Sequence, residues 1–292
     1  RQMCIRDSIN TIQYVTMASL GDAVDFGADL HTVKGYIYTL NSSTRGIVGG
    51  GVYCCPGAYY NTLEYVTIST TGTISDFGDI STTRYDGGQA TSATRGVIMA
   101  GFGPGYTNII EYLTMATLGN TVDFGDLSVG RRTLQGCASR VRGLFCGGYP
   151  TSNVVDYRDF ASLGNFVDFG NFNGTGRFHL MSTSSETRGL VAGGVPSPTN
   201  VIDMITIAST GDGTNFGNFT QARAGSGACA SPTRGLFSGG YDPSGNFNII
   251  DFITIASAGN ASDFGDTQAA RDESTGTSNN TRGVFAGYND GG

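Results

Sequence analysis

The chain has 292 residues, a net charge of −7 at pH 7 and a pI near 4.7, which argues against nucleic acid or an anionic membrane surface as its main partner. Apolar residues account for 39% of the sequence, too many for a disordered chain, although glycine occurs 46 times. No apolar run approaches the roughly 20 residues that span a bilayer, and two histidines, His31 and His179, leave little scope for zinc or copper chemistry.

Two short signatures recur six times along the chain. The first is an Asp-Phe-Gly triplet (Asn-Phe-Gly in the fifth copy), and successive copies are 51, 47, 45, 47 and 48 residues apart. The second is an Arg-Gly pair that opens an apolar run; its arginines are Arg45, Arg95, Arg142, Arg188, Arg234 and Arg282. A period near 47 residues predicts one supersecondary unit copied six times.

Residues 223–265 illustrate the elements of one repeat in chain order. A strand of small residues, AGSGACAS, is followed by the apolar strand RGLFSGG, the loop YDPSGNF, the β-branched and aromatic strand NIIDFITIAS, and finally ASDFGD. We call these four strands a, b, c and d. Because no helical period is visible and the four short strands are joined by tight connections, the repeat predicts an antiparallel blade of a β-propeller.

The ends of the chain predict how the ring closes. The sequence starts with a c–d pair at residues 9–30 and ends with an a–b pair at 271–288, with five complete repeats between them. We therefore predict an all-β, six-bladed propeller over residues 9–288, in which the two ends share a blade in a 2+2 closure that leaves no unpaired edge. Residues 1–8 and 289–292 are off-pattern tails; the alternative is a fragment of a longer array, and the whole number of blades favours closure.

Loop lengths distinguish the two faces of this propeller. The a–b and c–d modules have constant length, whereas the b–c connection measures 16, 13, 11, 12 and 14 residues from the Arg-Gly arginine to the Asn that starts strand c. Variable insertions on a repeat protein usually mark its binding face. The candidate ligand-binding residues are therefore the rings and one acid in these loops: Tyr53, Tyr59, Tyr60, Phe102, Tyr106, Tyr149, Tyr241 and Asp242. The alternative is that these rings only cap the blades.

The repeated residues are predicted to be structural. The triplet rings should fill the space between blades, at about 1.5–3 kcal/mol each; they are Phe26, Phe77, Phe124, Phe169, Phe216 and Phe264. A basic residue precedes each Arg-Gly arginine by 11 positions, and strand c carries an acid in five of six copies, with Gln13 in the first. We expect Arg–carboxylate pairs from these residues, because a catalytic carboxylate pair would occur once rather than in every blade.

The sequence offers few residues for catalysis or metal binding. His179 is the one candidate base for a serine nucleophile, and no acid or nucleophile-elbow motif accompanies it. The vicinal Cys54 and Cys55 leave a metal site or a strained disulfide as a lesser alternative. We predict no catalytic residue, no cofactor and no metal.

The order of these strands resembles a kelch-type repeat. An arginine precedes a small-residue strand, an apolar strand ends in Gly-Gly and an aromatic strand follows, with Phe of the triplet where kelch repeats usually carry Trp. The wording Y-V/I-T-I-A-S, then D-F-G-D-L, then S-T-R-G-V-F-A-G-G is similar to repeat regions in structural proteins of marine tailed phages, including cyanophage tail-fibre-like proteins. This resemblance covers roughly residues 9–288 and implies a virion or adhesion role.

We therefore expect a non-enzymatic structural or recognition module, virion-borne or extracellular, that binds a surface glycan or a host or virion protein and does not enter a membrane. Attachment to other virion proteins fits the same interpretation. The alternatives are a propeller-fold enzyme, of glycoside hydrolase or oxidase type, and a generic kelch-type interaction scaffold. Sialidase-like Asp-boxes ending in Thr-Trp are missing from the sequence, and a copper radical oxidase needs more than two histidines.

Overall fold

The computed structural model describes residues 8–53, 57–225 and 227–289, and this part of the chain forms six four-stranded antiparallel sheets arranged as a six-bladed β-propeller. The predicted fold class is confirmed. Within the described residues, no helix is long and apolar enough to cross a membrane.

The strands, in chain order, are β1 (Ser8–Thr16), β2 (Val24–Asp29), β3 (Tyr38–Asn41), β4 (Arg45–Gly49), β5 (Val52–Tyr53), β6 (Ala58–Tyr59), β7 (Thr62–Thr67), β8 (Ile74–Asp79), β9 (Gly88–Thr91), β10 (Arg95–Met99), β11 (Ile109–Thr114), β12 (Val122–Asp126), β13 (Gln135–Ala138), β14 (Arg142–Cys146), β15 (Val154–Asp159), β16 (Val167–Asn171), β17 (Met181–Ser184), β18 (Arg188–Ala192), β19 (Thr199–Thr206), β20 (Thr214–Arg223), β21 (Ala228–Ala230), β22 (Arg234–Ser238), β23 (Tyr241–Asp242), β24 (Gly245–Asn246), β25 (Ile249–Thr254), β26 (Ser262–Asp266), β27 (Thr275–Ser278) and β28 (Arg282–Asn289). Blades 1 to 5 are the sheets β3-β4-β7-β8, β9-β10-β11-β12, β13-β14-β15-β16, β17-β18-β19-β20 and β21-β22-β25-β26. The hairpins β5–β6 and β23–β24 lie in the two longest b–c loops.

Blade 6 is shared by the two ends of the chain, as the register of the repeats predicts. Its strand order is β2-β1-β28-β27, so the C-terminal strands supply positions a and b, and the N-terminal strands supply c and d. Gln13 pairs with Phe285 and Tyr14 with Val284 in an antiparallel ladder that runs from Ser8 to Asn289. These backbone bonds close the ring. Without them, β1 and β28 would each present an unpaired strand edge.

The Asp-Phe-Gly triplet is a β-bulge that also links neighbouring blades. In blade 2, Ile110 pairs with Gly125 and Glu111 with Asp123, so Phe124 is the extra residue of the bulge. Its ring is buried, and Gly125 has a φ of +146°, a conformation that glycine tolerates best. The carbonyl of each triplet Phe accepts a hydrogen bond of 2.7–3.3 Å from a glycine N–H in the next blade, and the six bonds complete a ring; the donors are Gly21, Gly72, Gly119, Gly164, Gly211 and Gly259.

The Arg-Gly arginines form a second set of links between blades. The Nη1 of Arg142 donates to the carbonyls of Ile207 and Ala208 in the next blade, at 3.0 and 3.1 Å, while its guanidinium stacks 4.7 Å from the ring centre of Tyr157 in its own blade. The other five arginines also donate to a carbonyl of the next blade. A planar guanidinium suits this position because it can stack and donate in its own plane at the same time.

A third repeated contact joins strand c to the start of strand a within one blade. The basic residue before strand a pairs with the strand-c acid in five blades; the pairs are Lys34–Glu64, Arg84–Glu111, Arg131–Asp156, Arg177–Asp203 and Arg223–Asp251. None of these side chains is more than 7% exposed. In blade 6 the amide of Gln13 lies 3.0 Å from the guanidinium of Arg271. The acids of strand c are therefore engaged inside the blades.

Candidate functional site: the channel mouth beside the b–c loops

The two ends of the central channel differ in how uniform they are. At one end, the first residue of every a–b turn accepts a hydrogen bond of 2.8–3.2 Å from the backbone N–H of the Arg-Gly arginine; these residues are Ser42, Ser92, Ser139, Ser185, Ser231 and Asn279. The other end is formed by the unequal b–c loops and by the d–a connections. Chemical variety is therefore concentrated at the b–c end, and the candidate site lies there.

Six residues surround the channel at this end, one from each blade. Each lies two positions after the basic residue that pairs with strand c, and we call them the mouth ring: Tyr36, Asp86, Thr133, His179, Gly225 and Glu273. All six have a left-handed backbone, with φ between +51° and +63°. They border a channel cavity of about 220 Å³.

Backbone hydrogen bonds connect neighbouring members of the mouth ring. The N–H of Asp86 donates to the carbonyl of Tyr36 at 3.0 Å, and the N–H of Thr133 donates to the carbonyl of Asp86 at 2.6 Å. On the other side of the channel, Gly225 donates to His179 and accepts from Glu273, both at 2.8 Å. These bonds join the d–a connections of neighbouring blades around the mouth, and Gly225 makes both of its bonds without a side chain.

Aromatic side chains form a continuous series around the mouth, which we call the aromatic arc. It consists of Tyr59, Tyr36, Tyr85, Phe102, Tyr106, Tyr149, Phe178, His179 and Tyr241. The ring centres of contacting members are 5.3–6.1 Å apart, and the arc crosses blades 1 to 5. Rings at these distances hold one another in place, so the exposed members form a pre-organised apolar surface.

Arg132 lies among these rings and beside the mouth ring. Its guanidinium carbon is 5.6, 5.9 and 5.6 Å from the ring centres of Phe102, Tyr106 and Tyr149. Its Nη1 is 3.9 Å from Oδ2 of Asp86, which is beyond hydrogen-bond length. A cavity of about 270 Å³ opens here, bordered by Tyr36, Val52, Gly57, Tyr59, Tyr85, Asp86, Arg132 and His179.

Burial shifts the titration of the groups at the mouth. Loss of solvent raises the pKa of Asp86 to about 8, and the nearby Arg132 offsets this only in part. Burial, together with the positive charge of Arg132, lowers the pKa of His179 to about 4. Burial and the acids Glu273, Asp272 and Asp86 raise the pKa of Tyr241 to about 12. At pH 7 these shifts favour the neutral acid form of Asp86, which can donate a hydrogen bond, and the neutral imidazole form of His179.

The structure brings five of the eight predicted ligand-binding residues into the aromatic arc: Tyr59, Phe102, Tyr106, Tyr149 and Tyr241. The other three lie elsewhere. Tyr53 is on the β5–β6 hairpin opposite Ala58, and the ring of Tyr60 lies 5.8 Å from Nζ of Lys34. Asp242 caps its own turn by accepting from the backbone N–H of Ser244 at 2.7 Å.

Sequence reasoning did not identify Arg132 or the mouth ring as a candidate site; of the ring's residues it considered only His179, as a candidate base for a serine nucleophile. These residues lie in the d–a connection, which has nearly constant length and therefore gave no length signal. The variation in residue type at the mouth-ring position could have indicated it. The second residue after the basic residue is Tyr, Asp, Thr, His, Gly and Glu in the six repeats, whereas the basic residue and the following strand are similar in all of them. Cys54 and Cys55, the candidate metal or disulfide pair, lie outside the described residues.

Within the described ranges, no group of three or more His, Cys, Asp or Glu side chains is arranged to hold a metal ion. The fold is consistent with a kelch-like repeat protein. No protein-family model matches the sequence, and no curated protein is detectably similar to it.

Proposed function

We propose that this propeller is a non-enzymatic recognition module that binds a carbohydrate at the channel mouth beside the b–c loops. The observation that carries the proposal is the aromatic arc, a row of contacting rings that crosses five blades and borders a polar cavity. Tyr59, Tyr106 and Tyr149 leave 41%, 46% and 38% of their surfaces exposed.

The chemistry of the arc favours a sugar over an apolar ligand. A tyrosine offers an apolar face, on which the C–H groups of a pyranose ring can stack, and a hydroxyl at its edge. Asp86, Arg132 and His179 place polar groups beside Tyr36, Tyr59 and Tyr85 in the wall of the cavity of about 270 Å³, and such a mixture of rings and a few polar groups is usual for a small-molecule site. Each exposed ring also has few rotatable bonds, so binding to it loses little conformational entropy.

The absence of catalysis is part of the proposal and is supported by the position of the repeated acids. Glu111, Asp156 and Asp251 are at most 4% exposed and paired with arginines, so they do not face the channel mouth as a catalytic pair would. A virion or adhesin role, and with it a virion or extracellular location, is supported by the resemblance of the repeats to phage structural proteins. Capsid or tail genes beside this gene would favour that role; neighbouring metabolic genes would argue against it.

A glycan array tests the binding proposal directly. Wild-type protein should bind a restricted set of glycans, and Tyr106→Ala and Tyr149→Ala should each weaken binding by about tenfold or more, equivalent to about 1.4 kcal/mol. Leu163→Ala is the control, because Leu163 is 51% exposed in the c–d turn of blade 3, on the face opposite to the b–c loops. If both tyrosine variants keep all glycan signals, or if only the control variant loses them, the proposed position of the site at the b–c end is wrong. If the propeller binds a purified protein but no glycan, its ligand is a protein and not a carbohydrate.

A further inference from the structure

We propose that the mouth-ring side chains, together with Arg132, select a neutral hydroxyl-bearing group, such as the terminal sugar of a glycan that enters the channel mouth end-on. This inference rests on the proposed carbohydrate-binding function and specifies which part of the ligand is recognised, and by which residues.

The first argument comes from the backbone of the mouth ring. A left-handed conformation is unfavourable for residues that carry a Cβ, and least suited to a β-branched residue such as Thr133. Gly225 shows that glycine satisfies the backbone hydrogen bonds of the ring, with a φ of +60°. The other five blades nevertheless carry side chains there, all of different types. The ring bonds do not require these side chains, and strained residues of this kind are concentrated at functional sites.

The position of Ala100 provides a comparison within the same molecule. Ala100 has a φ of +54° at a position where Gly50, Gly147, Gly193 and Gly239 occupy the same left-handed conformation in other blades. Of the five residues with a left-handed φ at that buried position, four are glycine. At the mouth ring, one residue of six is glycine. The two positions also differ in space: a Cβ on Gly147 or Gly193 would lie 2.5 or 2.4 Å from a carbonyl oxygen of the next blade, whereas the mouth-ring side chains border the open cavity.

The second argument is the geometry between Asp86 and Arg132. The side chain of Asp86 is 9% exposed, and its Oδ2 is 3.9 Å from Nη1 of Arg132. A separation of that size suits one oxygen atom that hydrogen-bonds both groups. A hydroxyl can fill this role because it accepts from the guanidinium and donates to, or accepts from, the carboxyl group.

Charged groups fit this position less well. A ligand carboxylate would have to lose its hydration beside Asp86, whose side chain is only 9% exposed, and a charged group costs more to desolvate than a hydroxyl. A ligand ammonium would approach the guanidinium of Arg132, which can only donate. The neighbouring His179 offers a neutral ring with one donor and one acceptor. The combination therefore matches vicinal hydroxyls of a neutral sugar.

The test uses matched methyl hexopyranosides, methyl hexuronides and methyl 2-amino-2-deoxyhexosides as probes, with affinity measured by ligand-observed NMR. Wild-type protein should bind the neutral hexopyranosides at least tenfold more tightly than the other two classes. Asp86→Gly and His179→Gly should each lose at least tenfold in affinity for the neutral probe while their melting temperatures stay unchanged or rise. Ala100→Gly is the control, since it relieves the same backbone strain away from the cavity and should bind like wild type.

The outcomes separate this inference from the proposed function. If both glycine variants bind like wild type while Tyr106→Ala loses binding, carbohydrate recognition stands and the mouth ring does not select the ligand. If the hexuronides bind best, the selection of a neutral hydroxyl is refuted. Unfolding of the two glycine variants, with Ala100→Gly intact, would show that the side chains are structural and would also overturn the inference. If wild-type protein binds neither these probes nor any glycan on the array, the proposed function itself fails.

Discussion

The buried pair between Arg223 and Asp251 makes a quantitative prediction about stability. Both side chains are fully buried, and Nη1 of Arg223 donates to Oδ2 of Asp251 at 2.8 Å. The carboxylate also accepts from the backbone N–H and the hydroxyl of Thr220, at 3.1 and 2.7 Å. Asp251→Asn keeps the size of the side chain but removes its charge, so it leaves the guanidinium buried without a counter-charge.

The expected loss of stability is about 3–5 kcal/mol, the usual result of removing one partner from a buried ion pair. At roughly 2 °C per kcal/mol for a chain of this size, the melting temperature should fall by about 6–10 °C. Arg140 and Glu186 provide the comparison, because their N–O distance is 2.9 Å but their side chains are 75% and 58% exposed. Glu186→Gln should therefore change stability by less than about 1 kcal/mol.

Urea unfolding, followed by far-ultraviolet circular dichroism, would measure both variants at pH 7. The midpoint should fall for Asp251→Asn with little change in slope, because the surface exposed on unfolding is the same. The double variant Arg223→Met/Asp251→Leu should recover most of the loss, since replacing a whole buried pair by apolar residues is often neutral. A loss below about 1 kcal/mol for Asp251→Asn, or a double variant no more stable than the single one, would refute this account of the pair.

Three further predictions concern the inner strands, the links between blades and the mouth ring. Gly136→Ala should destabilise the ring by about 1–3 kcal/mol in urea unfolding, because the new methyl group would overlap the Gln89 carbonyl of the neighbouring blade; unchanged stability would contradict the close packing of the inner strands. Arg142→Lys should lose about 1–3 kcal/mol in the same assay, since lysine cannot both stack on a ring and bind two carbonyls; a variant as stable as wild type would show that the charge alone suffices. The folded pKa of Asp86, about 8, lies above its unfolded value near 3.8, so its contribution to stability is fully present below pH 4 and is lost as the pH rises towards 8. Wild type should therefore lose stability relative to Asp86→Asn between pH 4 and pH 8, and a pH-independent difference would contradict a buried neutral carboxyl group.

The fold could be predicted because the same short sequence patterns recur in every blade. The triplet bulge, the Arg-Gly pair and the strand-c acid appear six, six and five times. An ambiguous strand assignment in one repeat can therefore be resolved by comparison with the other repeats. The candidate site was predicted only in part. Loop length led to Tyr59, Tyr106 and Tyr149, but it could not separate them from Tyr60, whose ring centre lies 5.8 Å from Nζ of Lys34 and which is not part of the arc.

The sequence by itself determined the number of blades, the shared sixth blade and the end of the channel at which the loops vary, because these depend on spacing along the chain. Only the tertiary structure decided which residues meet at the mouth. Asp86 and Arg132 are 46 positions apart in the sequence and belong to neighbouring blades, and the packing of these two blades brings Nη1 of Arg132 to 3.9 Å from Oδ2 of Asp86. The physical reason is that contacts between blades depend on the curvature of the closed ring and on the left-handed backbone at each d–a connection, and neither is written in the spacing of the repeats.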